Sequence, residues 1–359
     1  MSKSVLIAMS GGVDSSVAAA RLMETGYEVV GVTMKLWNFP AGSDIPERGC
    51  CSVDDTLDAA SVAAKLGFPH YTVNLLNDFS RDVIDDFIEE YRSGRTPNPC
   101  IRCNTYLKWG ALWAKMEELN LDYIATGHYA RVLDDGSEPG LFRSINLKKD
   151  QSYALWGIDY HKLKRTIFPL GNLRKEEVRL KAEKMGLRTA NKPESQEICF
   201  IPDNNYGNFL KDRGVLSSEG EIIGPDGKLI GKHDGYIHYT VGQRKGLGGG
   251  APFPLFVNRV DPVNNRVYAG PVEDAVFRKV LVKKVNWLTE KTPVEKFNGQ
   301  VKIRYNDPGR DAVITSTGEN ALSIEFPDGV LSPAPGQSAV VYLKARVICG
   351  GIIDTVEKQ

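Results

Sequence analysis

A glycine turn wedged between an apolar run and a helical pattern constrains the fold of this chain more than any other feature. Val5–Met9 is continuously apolar, Ser10-Gly11-Gly12-Val13-Asp14-Ser15-Ser16 follows, and Val17–Thr25 has helical spacing that ends at Gly26. Two adjacent glycines permit a tight reversal and a close backbone approach that side chains would block. The same alternation then repeats. Val29–Met34 and Tyr71–Leu75 are strand-like, Asp54–Leu66 is helical up to Gly67, Phe79–Arg92 and Tyr106–Leu119 read as helices, and Tyr123–Thr126 reads as a strand. Strands separated by helices of this length predict an α/β fold with a doubly wound parallel sheet. Ligands on such sheets bind beyond the carboxyl ends of the strands, where the glycine turn lies.

The pattern changes after residue 205. Gly and Pro become frequent, as in Gly224-Pro225-Asp226-Gly227, Gly246-Leu247-Gly248-Gly249-Gly250 and Ala251-Pro252-Phe253-Pro254. Beyond Phe277, Val280–Leu288, Gln300–Tyr305, Ala321–Phe326 and Ser338–Leu343 read as short strands between turn signals, which predicts a small β-barrel. A chain of 359 residues is expected to hold more than one core. The expected division is a catalytic domain over 1–205, a small central domain over 206–275 and a C-terminal β-barrel over 276–359.

The N-terminal turn has the makings of a polyanion cradle. Unpaired N–H groups at the start of a helix face phosphates well, Ser10 and Ser15 add hydroxyl donors, and Asp14 can hold Mg²⁺ between phosphate oxygens. No Gly-Lys-Ser/Thr follows, which excludes a Walker A loop, and the absence of Gly-x-Gly-x-x-Gly disfavours a dinucleotide site. Net charge is zero, with 45 Lys and Arg against 45 Asp and Glu, so the total gives no pointer to nucleic acid. The distribution is uneven: residues 161–192 hold ten Lys/Arg against three Glu, and residues 75–93 hold six acids against two Arg. A basic segment of that length can meet phosphates, and equally can be a solvated helix face. The first residues lack the apolar region of a signal peptide, and no apolar run approaches the roughly 20 residues of a bilayer span. A cytoplasmic protein with no membrane partner is expected.

In a reducing compartment, Cys50, Cys51, Cys100, Cys103, Cys199 and Cys349 suggest metal or redox chemistry rather than a disulfide framework. Cys50, Cys51 and Cys349 read as structural, Cys349 as a buried strand residue. Cys100 and Cys103 fall in Gly94-Arg95-Thr96-Pro97-Asn98-Pro99-Cys100-Ile101-Arg102-Cys103-Asn104, where two prolines fix an extended course. Both thiols then lie near the start of the next helix, where the backbone dipole and Arg102 would favour thiolate. Cys199 sits in Ser195–Ile201, read as a strand.

The glycine turn resembles the PP-loop of the ATP-pyrophosphatase superfamily, Ser-Gly-Gly-x-Asp-Ser, which holds the departing pyrophosphate while AMP is attached to a carbonyl oxygen. Together with Gly94–Asn104, Thr126-Gly127-His128-Tyr129, Lys149-Asp150-Gln151-Ser152-Tyr153, Ser195–Ile201, Gly242–Gly248 and Arg304-Tyr305-Asn306-Asp307, it resembles the tRNA-specific 2-thiouridylase family over essentially the whole chain. The resemblance implies that ATP, with Mg²⁺, adenylates O2 of the wobble uridine of tRNA and that sulfur then replaces this oxygen. A soft sulfur nucleophile can displace an oxygen that has become an AMP leaving group. The sulfur donor would be a cysteine desulfurase, a sulfur-relay protein or inorganic sulfide.

Residue by residue, the resemblance gives Cys199 as the carrier of a persulfide and Cys103 as the thiol that resolves it through a transient disulfide. It assigns Ala8, Met9, Ser10, Gly11, Gly12, Val13, Asp14, Ser15, Met34 and Gly127 to ATP. Asn98, Pro99 and Cys100 would line the pocket for the target base, which must leave its stack. His128, Lys149, Asp150, Gln151, Arg304, Tyr305 and Gln337 would contact tRNA. One departure stands out: many family members carry Asp where this chain has Cys100, and a thiol is a poorer acid–base group at neutral pH. Cys100, Cys103 and Cys199 as ligands of a [4Fe–4S] cluster with one open iron is therefore the alternative, and under it the persulfide roles fall away. Two rival functions remain. A PP-loop amidotransferase or ligase acting on a small molecule would not need these thiols, and no glutaminase segment is visible. An intact Ser-Gly-Gly-Val-Asp-Ser loop speaks against a non-catalytic RNA-binding protein.

Overall fold

Val5, Leu6 and Ile7 are fully buried, as expected of a central parallel strand covered on both faces. The computed structural model describes residues 2–38, 53–134, 138–193, 198–201, 203, 205–215, 218–247, 253–290 and 295–358. Cys50 and Cys51, residues 195–197 and the Gly/Pro run 248–252 lie outside the described residues.

The strands of the first half are β1 (Ser4–Ala8), β2 (Glu28–Lys35), β3 (His70–Asn74), β4 (Tyr123–Thr126), β5 (Ala130–Asp134), β6 (Pro139–Arg143) and β7 (Thr166–Ile167). Five of them form one parallel sheet in the order β3-β2-β1-β4-β7. Side chains of β1 alternate between two cores. Val5 and Ile7 pack with α1 (Val13–Glu24) and α2 (Val53–Leu66) through Val17, Ala18, Ala59 and Val62. Leu6 and Ala8 pack on the opposite face with Trp109, Leu112 and Met116. Because the chain fills one side of β1 first and the other side later, the crevice between the carboxyl ends of β1 and β4 is the switch point of the sheet.

The strands and helices expected from the sequence in this half lie within a few residues of those observed. Two helices differ in kind. The acidic one runs as Leu76–Phe79, Ser80–Ile84 and Asp85–Arg92, with a π-helical middle. The next starts earlier than expected, at Pro99–Arg102, and continues through a π-helical Cys103–Leu112 into Trp113–Glu118.

The central region is a four-stranded sheet of β8 (Gly220–Ile223), β9 (Leu229–His233), β10 (Phe256–Asp261) and β11 (Arg266–Gly270), in the order β10-β11-β8-β9. Its own small core holds Ile222, Leu247, Val257, Val267 and Ala269. The expected C-terminal barrel is present. β12 (Val276–Trp287), β13 (Lys296–Lys302), β14 (Arg310–Gly318), β15 (Ala321–Leu331), β16 (Ser338–Leu343) and β17 (Arg346–Glu357) pair in the order β12-β15-β14-β13-β16-β17, and β12 pairs with β17 to close it. Cys349 is fully buried on β17, and burial pushes its thiol pKa far up, consistent with a structural role.

The sequence reading did not anticipate the β5–β6 hairpin. It leaves the parallel sheet and continues the barrel sheet, with Leu141 and Phe142 paired to Val347 and Arg346. The expected strand Gln300–Tyr305 stops at Lys302. Asp307 accepts hydrogen bonds from the backbone N–H groups of Ile303 and Gly309, which folds Arg304 and Tyr305 into a turn.

Candidate nucleotide and thiol site

Only glycine fits at position 11. Its φ is +67°, and a Cβ there would collide with the carbonyl oxygen of Asp55 at the start of α2. Ser15 locks the turn from within, its Oγ accepting from the Ser10 N–H at 3.2 Å and donating to the Gly12 carbonyl at 3.1 Å. Ser16 Oγ donates to the same carbonyl at 2.9 Å. Gly12 caps α1 and makes no side-chain cap bond to the first-turn N–H groups, the groups that a helix N-terminus offers to anions. Gly127, just beyond β4, abuts this turn: a Cβ there would lie 2.8 Å from Ser15 N and 2.9 Å from the Asp14 carbonyl carbon. The segments assigned to ATP by resemblance thus meet, with Met34 on the neighbouring β2.

Asp14 has partners the sequence reading missed. Its carboxylate accepts from Lys175 Nζ at 2.7 and 2.8 Å and from the Tyr129 hydroxyl at 2.8 Å. Lys175 is buried, at 5% exposure, on the helix Lys175–Lys184. It belongs to the basic stretch 161–192, several of whose members are held in ion pairs. Lys181 pairs with Glu24, Arg165 with Glu117, Arg188 with Asp58, and Lys192 with both Asp55 and Asp58.

The thiol segment is built by caps and by the barrel. Asn98 caps the next helix through Oδ1 and the Ile101 N–H, and Pro99 takes the first helical position, where a missing N–H costs nothing. Gln337 Nε2 donates to the carbonyls of Thr96 and Pro97 at 3.1 and 2.9 Å, and the Thr96 N–H donates to the Pro335 carbonyl. Arg95 reaches the carbonyls of Ile353 and Asp354 on β17. Asn98, Arg95, Lys284, Gly336 and Ser338 are among the residues lining a cavity of about 290 Å³ between this segment and the barrel.

Cys103 and Cys199 pack against one and the same apolar cluster, with Phe79, Phe87, Leu107 and Phe200, whereas Cys100 is exposed. One expectation is corrected here. Residues 198–201 form a turn, not a strand, because Phe200 and Ile201 both bury into this cluster and the Ile201 N–H returns to the Ile198 carbonyl. Arg102 is engaged by the preceding acidic helix and by its own. It donates to the Asp82 carbonyl, pairs with Asp86 at 3.2 Å and lies over the Tyr106 ring.

At the end of β4, His128 Nδ1 bonds Thr126 Oγ1 at 2.6 Å and Nε2 lies 3.4 Å from Lys108 Nζ. Burial, and secondarily Lys108, hold its pKa well below the ordinary histidine value, so the ring is neutral. Asp150 is buried, at 7% exposure, and accepts from the Ser144 N–H and from the Ser152 hydroxyl and N–H. Gln151 is tied to the Tyr129 backbone on both sides. These two shape the loop that carries Lys149. Tyr305 is 40% exposed and meets Tyr153 edge-on, with Lys302 near both rings and Arg304 donating to the Leu331 carbonyl.

Residues 3–203 match the family described as the tRNA methyl transferase HUP domain, 207–271 its PRC-barrel domain, and 277–353 the aminomethyltransferase beta-barrel domain. The tRNA-specific 2-thiouridylase MnmA of Carboxydothermus hydrogenoformans is 46% identical over 99% of this chain and 98% of its own. That of Cytophaga hutchinsonii is 44% identical over 99% and 98%, and that of Clostridioides difficile 43% identical over 99% of both. The chain belongs to the tRNA-specific 2-thiouridylase family.

For a member of the 2-thiouridylase family, the fit of an iron–sulfur cluster is decided by its donor set. Among the described residues no group of three or more His, Cys, Asp or Glu side chains is disposed to hold a metal ion. Cys100 is exposed, while Cys103 and Cys199 pack against the aromatic cluster. Among the described residues, no helix is long and apolar enough to cross a membrane.

Proposed function

We propose that this chain is an ATP-dependent tRNA 2-thiouridylase that works by adenylation and persulfide transfer. The observation that carries the reading is a glycine turn at a helix N-terminus at the switch point of the sheet, together with two thiols packed on one apolar cluster. The HUP and PRC-barrel descriptions name a methyl transferase and the relatives a thiouridylase. Both are tRNA enzymes, and a PP-loop with paired thiols favours sulfur.

MgATP would lay its phosphates on the first-turn N–H groups of α1 and on Ser10, with Gly127 shaping the opposite wall. Mg²⁺ would arrive with the nucleotide, and Asp14, steered by Lys175 and Tyr129, is the carboxylate that would hold it. Uracil O2 attacks the α-phosphorus, the bond to the β-phosphate breaks, and pyrophosphate leaves with that electron pair. A persulfide on Cys199, loaded from a sulfane-sulfur donor, attacks C2 and AMP departs. The Cys103 thiolate then attacks the Cys199 sulfur, forming a Cys103–Cys199 disulfide and releasing 2-thiouridine. A dithiol reductant restores both thiols, which suits a cytoplasmic setting.

Asn98 lines the cavity between the thiol segment and the barrel; with Pro99 and Cys100 next to it in the chain it would receive the extruded base, while Lys149, Arg304 and Tyr305 would meet the tRNA. The test is tRNA-stimulated ATP–pyrophosphate exchange together with mass spectrometry of the nucleosides. Exchange with a thiolated uridine supports the reading. Exchange driven by a small acid or amide would favour a ligase, and no exchange at all would leave an RNA-binding protein.

A further inference from the structure

Ten residues of π-helix starting at Cys103 are unusual, since such turns are rare, short and concentrated at functional sites. Cys103 and Leu107 pack against the aromatic cluster, whereas Asn104 leaves that face and carries Lys108 with it. The Lys108 ammonium is held there by Asn104 Oδ1 at 2.8 Å and by His128 Nε2 at 3.4 Å.

Asn104 is buried and fixed by its own bond to the Ala154 carbonyl, at 2.8 Å. His128 is clamped by Thr126 and by the rings of Trp109 and Phe168. A neutral imidazole that accepts at Nε2 must carry its proton on Nδ1, which then donates to Thr126. Two of the three Lys108 N–H groups are therefore committed to rigid acceptors, leaving the third for a ligand. Lys108 is linked to both halves of the site, through His128 and through its own helix. Gly127, next to His128, touches the phosphate turn, and Cys103 begins the helix that carries Lys108. Lys175 and Lys192, which also approach the turn, are already spent on Asp14 and on Asp55 and Asp58.

We propose that Lys108 is a catalytic residue of the adenylation step, its ammonium donating to the α-phosphoryl oxygens as they gain charge. The proposal rests on the nucleotide reading above. In that step the O2–phosphorus bond forms, the bond to the β-phosphate breaks, pyrophosphate takes the electron pair and uracil N3 releases its proton to water. Lys108 keeps all of its protons and only stabilises the charge.

The test uses full-length Lys108→Met and Lys108→Arg, with ATP and tRNA binding measured beside tRNA-stimulated exchange. Losing one preorganised donor to a developing oxyanion lowers kcat about 10²–10³-fold. Lys108→Met should show that loss in kcat with both affinities within a few-fold, and Lys108→Arg should recover part of the rate. Exchange at the wild-type rate in a folded Lys108→Met overturns the assignment, as does a loss carried wholly by KM. If Lys108→Met does not fold, Lys108→Gln is read in the same way. Wild-type protein without exchange would sink the nucleotide reading itself, so the two failures are told apart.

Discussion

Asp14→Asn tests whether the phosphate turn is held by a charge or only by shape. Lys175 has a side chain 7% exposed and Asp14 one 32% exposed, with Nζ 2.7 Å from the carboxylate. Removing one partner of a fully buried pair costs about 3–5 kcal/mol, whereas an exposed pair contributes about 0–1 kcal/mol. With the carboxylate a third exposed and Asn retaining one acceptor, the expected loss is about 1–3 kcal/mol. Lys175→Met should cost less, within about 1 kcal/mol, because Met fills the buried volume and Asp14 can still be hydrated and bonded by Tyr129. The double variant should then recover most of the stability lost in Asp14→Asn, a coupling of at least about 1 kcal/mol. Urea unfolding measures this as midpoints at constant slope. Pyrophosphate exchange should be lost in Asp14→Asn and stay lost in the double variant, which regains stability without regaining the carboxylate. A double variant no more stable than Asp14→Asn would refute the argument from buried charge. Normal exchange in Asp14→Asn would remove the residue from the nucleotide site.

Cys199→Ala and Cys103→Ala should each abolish thiolated nucleoside while retaining tRNA-stimulated exchange, and Cys100→Ala should keep thiolation within a few-fold. Loss of activity together with bound iron in Cys100→Ala would restore the cluster reading. Gly336, at φ +92°, would place a Cβ 2.8 Å from the Thr96 N and O atoms, so Gly336→Ala should cost about 1–3 kcal/mol. It should also lower thiolation more than exchange, and an equal fall in both would mean that the barrel does not position the thiol segment. Stability should decline as pH falls below about 6.5, because the unfolded chain binds a proton at His128 that the folded chain refuses. His70 and His233 are lowered by burial in the same direction, so the part due to His128 is the change in slope between wild type and His128→Gln in urea melts at pH 5 and pH 8.

What could be read from the sequence was local. The parallel strands announce themselves as apolar runs, and the phosphate turn needs only seven consecutive residues to be recognised. Lys175 could not be assigned to Asp14, because the pair is 161 residues apart and nothing near either residue marks the other. The basic stretch could not be resolved for the same reason: its partners Glu24, Asp55, Asp58 and Glu117 come from earlier elements, so much of a local charge surplus is offset once the chain folds. Ile198-Cys199-Phe200-Ile201 looks like a strand because four apolar residues in a row suit one, yet tertiary burial of Phe200 and Ile201 shapes a turn instead. The β5–β6 hairpin did leave a signal, alternating runs flanking Asp135-Gly136, though not one that says it joins a sheet formed almost entirely by residues after 275.

The joining of the two regions also explains how a proline-rich segment can be a precise part of the site. Pro97 and Pro99 have no N–H, so Thr96–Pro99 cannot enter an ordinary ladder, and its carbonyls need donors from elsewhere. Those donors come from the barrel. Gln337 satisfies the Thr96 and Pro97 carbonyls, the Pro335 carbonyl takes the Thr96 N–H, and Arg95 ends on the carbonyls of β17. The close approach at Gly336 leaves no room for slack between them. Gln337, assigned to tRNA by resemblance, thus has its amide N–H groups engaged on the thiol segment. Any RNA that pulls on this edge of the barrel would therefore act directly on the backbone that sets Asn98, Cys100 and Cys103.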